Sequence, residues 1–562
     1  MTKKTYEVLA ETFSREGVGT CFALLGDANM HWATELARLG TRMINVRHEH
    51  CAVSAAMSFS RSTGKVGVAT VTCGPGLTQV LTALPAAVRA NIPLVVFAGE
   101  APVGTAWYNQ AIDQAPFATA TGAAYHTLHH PLRMPEAVRN AFVQAKEEQR
   151  PVIIGVPFDL QATAWSGGDR LPAPSADILP RPRPIPPHPQ DVEDAAARIS
   201  RAKRIVVMGG LGAVRAGAGP ASRALAERLG ALLATTLPAR GLFHDDPFYV
   251  GVAGGFSSAV ARACFAKADL VIAVGTRLAQ HNLDKGTLFP EAAILQIDTH
   301  PRAVSQGQIA ARHHLRADAR LGIEALLEQI GPRDAGWRTG ALARAISQTP
   351  FDTAEFPADA GRHDPRNVVA ALDAALPKDW QMVNSSGHCS YYFAHMRGRP
   401  AERFTTIREF GAIGNGISYA MGVAAANPDD TVVLFDGDGS LLMHIQELET
   451  IRRHGLNILV CALNDGAYGS EIHKLRAEGL SDAGAVFGYS DLGAIARGFG
   501  VSGRVVKDLD ALPEMVAEFS GTGGCAVWDF HVSDRIVSPV IRRAHPKGHE
   551  GTEKPIELEG LL

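Results

Sequence analysis

TVVLFDGDGSLLMHIQELETIRRHGLNILVCALNDGAYGSE, residues 431–471, decides how the rest of the chain is read. Val432-Val433-Leu434-Phe435 is a short apolar run of the kind that forms a fully buried strand. Asp436-Gly437-Asp438-Gly439-Ser440 breaks it with residues that tolerate unusual backbone angles. Leu441, Leu442, Ile445, Leu448 and Ile451 then recur at helical spacing and Gly455 closes the run, so one helix is expected. Leu456 to Leu463 reads as a second strand, ending at Asn464-Asp465-Gly466-Ala467-Tyr468-Gly469. The unit is strand, helix, strand, with an acid at the C-terminal end of each strand, where parallel α/β sheets bind ligands.

Two carboxylates so placed suit a hard divalent cation. Mg²⁺ takes oxygen ligands in an octahedron and seldom all of them from protein, so Asp438, Asp465, a backbone carbonyl and a diphosphate would complete it. The glycines allow close approach of the phosphates, and the helix start after Ser440 favours their charge. A plain βα turn also uses Asp-Gly, but two such turns, each closing a strand, are a stronger signal than one. The segment resembles the thiamine diphosphate fingerprint, Gly-Asp-Gly followed one βαβ unit later by Asn-Asn, although this chain has Asn464-Asp465. The resemblance implies Asp438, Asp465 and the Ala467 carbonyl as Mg²⁺ ligands, with Gly437, Gly439, Ser440, Tyr468 and Gly469 around the diphosphate.

With 562 residues, the length prior gives roughly three or four domains. A formal net charge of −3 leaves no basic footprint for nucleic acid, and no apolar stretch is long enough to span a membrane. The seven cysteines are odd in number and never spaced Cys-x-x-Cys, which fits reduced thiols and a cytoplasmic location.

The expected fold class is α/β, with three doubly wound parallel-sheet domains: pyrimidine-binding over 1–170, middle over 190–335 and diphosphate-binding over 364–541, before a loosely ordered tail at 542–562. In the first domain, strands end at Gly26-Asp27-Ala28-Asn29, at Arg47-His48-Glu49-His50 and at Cys73-Gly74-Pro75-Gly76. Prolines from Pro180 to Pro187 read as a stiff linker, and the polar stretch from Pro332 to Asp364 as another. In the middle domain Gly209-Gly210-Leu211-Gly212 lacks the third glycine of a dinucleotide fingerprint.

From about 5 to 540 the order of these motifs resembles the acetolactate synthase and pyruvate decarboxylase branch of thiamine diphosphate enzymes. By that resemblance Glu49 bonds the aminopyrimidine and drives the acid-base relay that deprotonates C2 of the cofactor. Burial should raise its pKa. Ile413 matches the apolar wedge that bends the cofactor, and Gly74, Gly387 and His388 join the cofactor site. Asp27 and Glu471 resemble proton-transfer acids of the decarboxylases. As plain structure, Asp27 would cap the helix from Met30 and Glu471 would favour a helix start. The decarboxylases' histidine pair is missing after Gly99-Glu100, where Gln110 resembles the acceptor-polarising glutamine of carboligases. His129-His130 reads as structural.

The implied activity is decarboxylation of a 2-oxo acid and ligation of its acyl group, through an enamine, to an aldehyde or keto acid, in a homodimer or homotetramer. Aldehyde release, an FAD-containing relative and a cofactor-dead regulatory protein stand as alternatives.

Overall fold

The computed structural model describes residues 3–168, 170–180, 182–300, 304–305, 308–309, 311–333, 337–549, 551, 556–558 and 560–561. Among these, the strands form three parallel six-stranded sheets and one two-residue antiparallel pair. The first sheet runs Arg42–Asn45, Thr20–Ala23, Gly67–Val71, Leu94–Glu100, Pro151–Pro157, Ala124–Thr127. The third runs Phe404–Thr406, Gln381–Asn384, Val432–Gly437, Ile458–Asn464, Cys525–His531, Ser502–Val505. Numbered along the chain, both have the strand order 2-1-3-4-6-5, whereas the middle sheet has 6-5-4-1-2-3. Central strands such as Gly67–Val71 and Ile458–Asn464 are buried throughout, as parallel strands covered by helices on both faces must be.

The first and third sheets share one core. Helix Glu49–Thr63, after the second strand of the first sheet, packs on helix Gly416–Ala426, after the second strand of the third. Gly422 makes this approach possible, since a Cβ there would lie 2.1 Å from the Ala55 carbonyl oxygen. Residues 416–425 are buried all round, so the helix is apolar on every face.

Three expectations need correction. The single helix from Leu441 to Ile451 is two pieces, Asp438–Leu441 and Glu447–Arg453, because the intervening residues turn so that His444 Nδ1 reaches the Gly414 carbonyl at 2.8 Å. The polar stretch 332–364 contains helix Gly340–Gln348, whose Leu342 and Ile346 join the middle-domain core; residues 334–336 lie outside the described residues. The tail is not loose where it is described. Helix Pro539–Ala544 crosses the expected boundary at 541, Arg542 pairs with buried Asp352 at 2.7 Å, and Leu558 packs into the middle-domain core. Residues 550, 552–555, 559 and 562 of that tail, and Arg181 of the proline linker, lie outside the described residues.

In the middle domain the glycine turn spends its donors internally. Gly210 N–H bonds the Val274 carbonyl and Gly212 N–H the Gly275 carbonyl, each at 2.8 Å. Among the described residues no helix is long and apolar enough to cross a membrane.

Candidate active site

The strand Val432–Gly437 ends where the Asp438–Leu441 turn of helix begins, and Ile458–Asn464 ends beside it at Asp465. The two strands pair in parallel with Gly437 opposite Leu463, which brings both acids to one sheet edge. Asp438 Oδ2 accepts from Gly466 N–H at 3.0 Å and Asp465 Oδ1 from Ala467 N–H at 3.3 Å. Burial pushes the Asp438 carboxyl up to about 6. Burial, then the Asp438 charge, pushes Asp465 well above the usual carboxylate range. Like charges in one site disfavour each other's ionised form, and a cation between them would relieve that. Asn464 points the other way, donating to Asp529 Oδ1 at 3.0 Å and shaping the turn.

Around this pair a cleft gathers most of the residues the sequence singled out. Gly387, His388, Ile413, Gly437, Asp438, Gly439, Ser440, Asp465, Ala467, Tyr468, Gly469 and Glu471 all line it. Glycine is required at two of these places, since a Cβ on Gly439 would lie 2.9 Å from the Tyr468 ring and one on Gly469 2.4 Å from Asp465 Oδ2. His388 is fully engaged in packing: its Nε2 accepts from Ser538 N–H at 3.0 Å, and burial lowers its pKa to about 3, so it stays neutral. Glu471 sits at the mouth with its side chain 55% exposed, 3.3 Å from Lys474.

Sequence reasoning missed Ser386 in this wall. Its hydroxyl is buried with no hydrogen-bond partner, and it lines the cleft. Its signal was its place at the end of strand Gln381–Asn384, the same edge as both acids. A diphosphate fits this set: a buried unpaired hydroxyl, glycines without room for a Cβ, and two carboxylates for a divalent ion. Among the described residues no group of three or more His, Cys, Asp or Glu forms a metal cage, so further ligands must come from backbone, water or phosphate.

The other candidates are not in this cleft. Glu49, the first residue of its helix, is half-buried, and desolvation raises its pKa. Asp27, Gly74 and Gln110 form a second group on the same edge of the first sheet. Tyr108 joins them, its hydroxyl 3.4 Å from Asp27 Oδ2 and 3.5 Å from Gln110 Oε1. Gly74, at φ 58°, leaves 2.2 Å between a notional Cβ and the Gln110 carbonyl oxygen. Asp27 caps nothing: Asn29 holds the N-cap position, and its Oδ1 accepts from Gly26 N–H at 2.8 Å.

Comparison with known proteins gives three matches along the chain. Residues 3–117 match the thiamine pyrophosphate enzyme N-terminal TPP binding domain, residues 192–326 the central domain, and residues 385–530 the C-terminal TPP binding domain. The chain is 29% identical to the acetolactate synthase large subunit of Parasynechococcus marenigrum (strain WH8102), over 93% of this chain and 86% of that one. It is 29% identical to a probable 2-ketoarginine decarboxylase of Pseudomonas aeruginosa, over 92% of each. It is also 29% identical to acetolactate synthase isozyme 2 large subunit of Escherichia coli (strain K12), over 81% of each. With all three domains matched in order, the chain belongs to the thiamine pyrophosphate (thiamine diphosphate) enzymes, in the branch of the acetolactate synthases and 2-oxo acid decarboxylases.

Proposed function

We propose that this enzyme decarboxylates a 2-oxo acid and ligates the acyl carbon to an aldehyde or keto acid, using thiamine diphosphate and Mg²⁺. The observation that carries the reading is the pair Asp438 and Asp465, one buried and one half-buried, set at one sheet edge in a cleft that also holds the unpaired Ser386 hydroxyl. These two carboxylates and the Ala467 carbonyl would hold the ion. Gly437, Gly439, Ser440, Tyr468 and Gly469, with Gly387 and His388, would form the diphosphate wall. The cofactor, when bound, supplies an electron sink that lets the 2-oxo acid lose CO₂ and leaves its acyl carbon nucleophilic.

Glu49 would donate a proton to the aminopyrimidine, and the burial that raises its pKa favours the protonated carboxyl such a donor needs. Ile413 would lie beneath the bend of the cofactor. Glu49, Gly74 and Gln110 do not line this cleft, and by the family resemblance they would act on the cofactor held in the cleft of a second copy of the chain. Gln110 would polarise the acceptor carbonyl, with Asp27 beside it through Tyr108.

Aldehyde release is the second reading. It is favoured by Glu471, an exposed acid at the mouth that could protonate the acyl carbon, and by the likeness to a decarboxylase. Both readings are tested by incubating the protein with thiamine diphosphate, Mg²⁺ and a panel of 2-oxo acids, with and without aldehydes. CO₂ release with a ligated product mass supports the first, and CO₂ with free aldehyde the second. No CO₂ from any 2-oxo acid overturns both.

A further inference from the structure

Three histidines meet where the Glu49 helix touches the loop that carries Ile413. His50 and His444 are both buried, and their rings lie face to face with centroids 5.0 Å apart and an interplanar angle of 1°. His48 stands edge-on to His444 at 5.1 Å, and its Nδ1 accepts from His50 N–H at 3.1 Å. Two of the three reach the same short loop. His444 Nδ1 meets the Gly414 carbonyl at 2.8 Å, and because a carbonyl only accepts, that nitrogen carries the proton. His50 Nε2 meets Asn415 Oδ1 at 2.5 Å while the Asn415 amide donates to the Tyr419 hydroxyl at 3.1 Å, so His50 donates as well.

The loop therefore has attachments on every side. Gly414 N–H donates to Ser440 Oγ at 2.8 Å, so the residue after Ile413 is held at both its N–H and its carbonyl. Gly414 adopts φ 86°, and a Cβ there would lie 3.1 Å from His444 Nδ1 and from Met443. Backbone hydrogen bonds to ordinary neighbours would not need histidine. What the imidazole ring adds is a donor at a fixed height on a flat face, and stacking fixes one ring against the other.

We infer that His50 and His444 are positioning residues for Ile413: they fix, through Asn415 and Gly414, the loop that sets the bend of the cofactor. They also tie that loop to the helix that Glu49 begins. The inference rests on the proposed place of Ile413 beneath the cofactor. It separates donor from ring. Phenylalanine at either position keeps the stack and removes the donor. Glutamine in place of His50 presents an amide where Nε2 was, and asparagine in place of His444 presents one where Nδ1 was.

The test is amide hydrogen exchange in the cofactor-free protein over residues 409–417, followed by C2-proton exchange of bound thiamine diphosphate. His50→Phe and His444→Phe are expected to speed loop exchange roughly tenfold, the scale of one lost hydrogen bond, and to slow C2-proton exchange. His50→Gln and His444→Asn are expected to stay near native in both. Asn415→Ala, which removes the same bond from the other side, should match His50→Phe. Native-like loop exchange in the phenylalanine variants or in Asn415→Ala, or the opposite order of phenylalanine and amide variants, overturns the inference. Faster loop exchange with native C2-proton exchange overturns the placement of Ile413 instead, so the two failures are separate.

Discussion

Glu447 Oε1 accepts the backbone N–H of Arg47 at 2.9 Å, joining the C-terminal domain to the residues that lead into Glu49. The same short helix adds further holds. Glu449 pairs with Arg47 at 2.8 Å, Arg453 donates to the Asn45 carbonyl at 2.6 Å, and Asn45 N–H donates to His454 Nε2 at 3.0 Å. Glu447 itself is fully buried, with Oε2 bonded by Thr450 at 2.6 Å. Glu447→Ala is expected to cost about 1–2 kcal/mol, for lost hydrogen bonds at a buried acceptor, and to slow C2-proton exchange. Urea unfolding of the cofactor-free protein and NMR of bound cofactor measure the two effects. Native values of both would reduce the helix to a passive contact.

Glu49→Gln should leave the fold and cofactor affinity intact while removing most C2-proton exchange. An amide is isosteric but holds no titrating proton for the aminopyrimidine. Exchange at the native rate would remove Glu49 from the relay.

If Asp438 and Asp465 hold the ion as proposed, stability should depend on pH and on metal. Asp438, raised to about 6, and Asp465, raised further by burial and by Asp438, cost the metal-free fold stability as ionisation proceeds. For carboxyls raised in the folded state, the contribution is fully present below the unfolded pKa and is lost as pH rises through the folded one. Asp465→Asn should therefore melt higher than the native chain without metal at pH 7.5, with a smaller gap at pH 4.5. Mg²⁺ with thiamine diphosphate should close or reverse that gap. A gap independent of both pH and metal would show that the two acids do not share a cation.

If the site is completed by a second copy, two inactive variants should rescue each other. Co-expressed Glu49→Gln and Asp438→Ala chains form mixed dimers with one site carrying both lesions and one carrying neither, giving about a quarter of native activity under random pairing. Recovery indistinguishable from zero, with mixed dimers confirmed by mass, would place Glu49 and Asp438 in a site within one chain.

Gln110→Ala should shift products from ligation toward aldehyde, and Glu471→Gln the other way. A lost oxyanion donor is worth on the order of 2.7–4 kcal/mol in comparable sites, enough to invert a product ratio. The readout is the ratio from one 2-oxo acid with saturating aldehyde. Constant ratios would return both residues to structural parts.

Much of the fold was legible because parallel strands buried on both faces write themselves as apolar runs. Val432 to Phe435 and Leu94 to Ala98 are read directly from composition. The cleft was legible for the same reason, since its residues follow strand ends. What failed was decided by contacts distant in sequence. Apolar spacing from Leu441 to Ile451 promised one helix, but His444 turns toward Gly414 and breaks it. Asp27 looked like a cap because Asp and Asn both cap helices, and only the geometry shows Asn29 at that position. Ser386 drew no attention because a serine at a strand end is common, and its burial without a partner is invisible in one dimension.

The first and third domains share one strand order, and their equivalent helices meet near their starts, where His50 bonds Asn415. One scaffold is thus used twice in the chain, and its two strand-end loops meet across one contact. After the second strand of each sheet, the first domain presents an acid, Glu49, and the third an apolar residue, Ile413. The same backbone frame therefore presents an ionisable group from one side of the contact and an apolar one from the other.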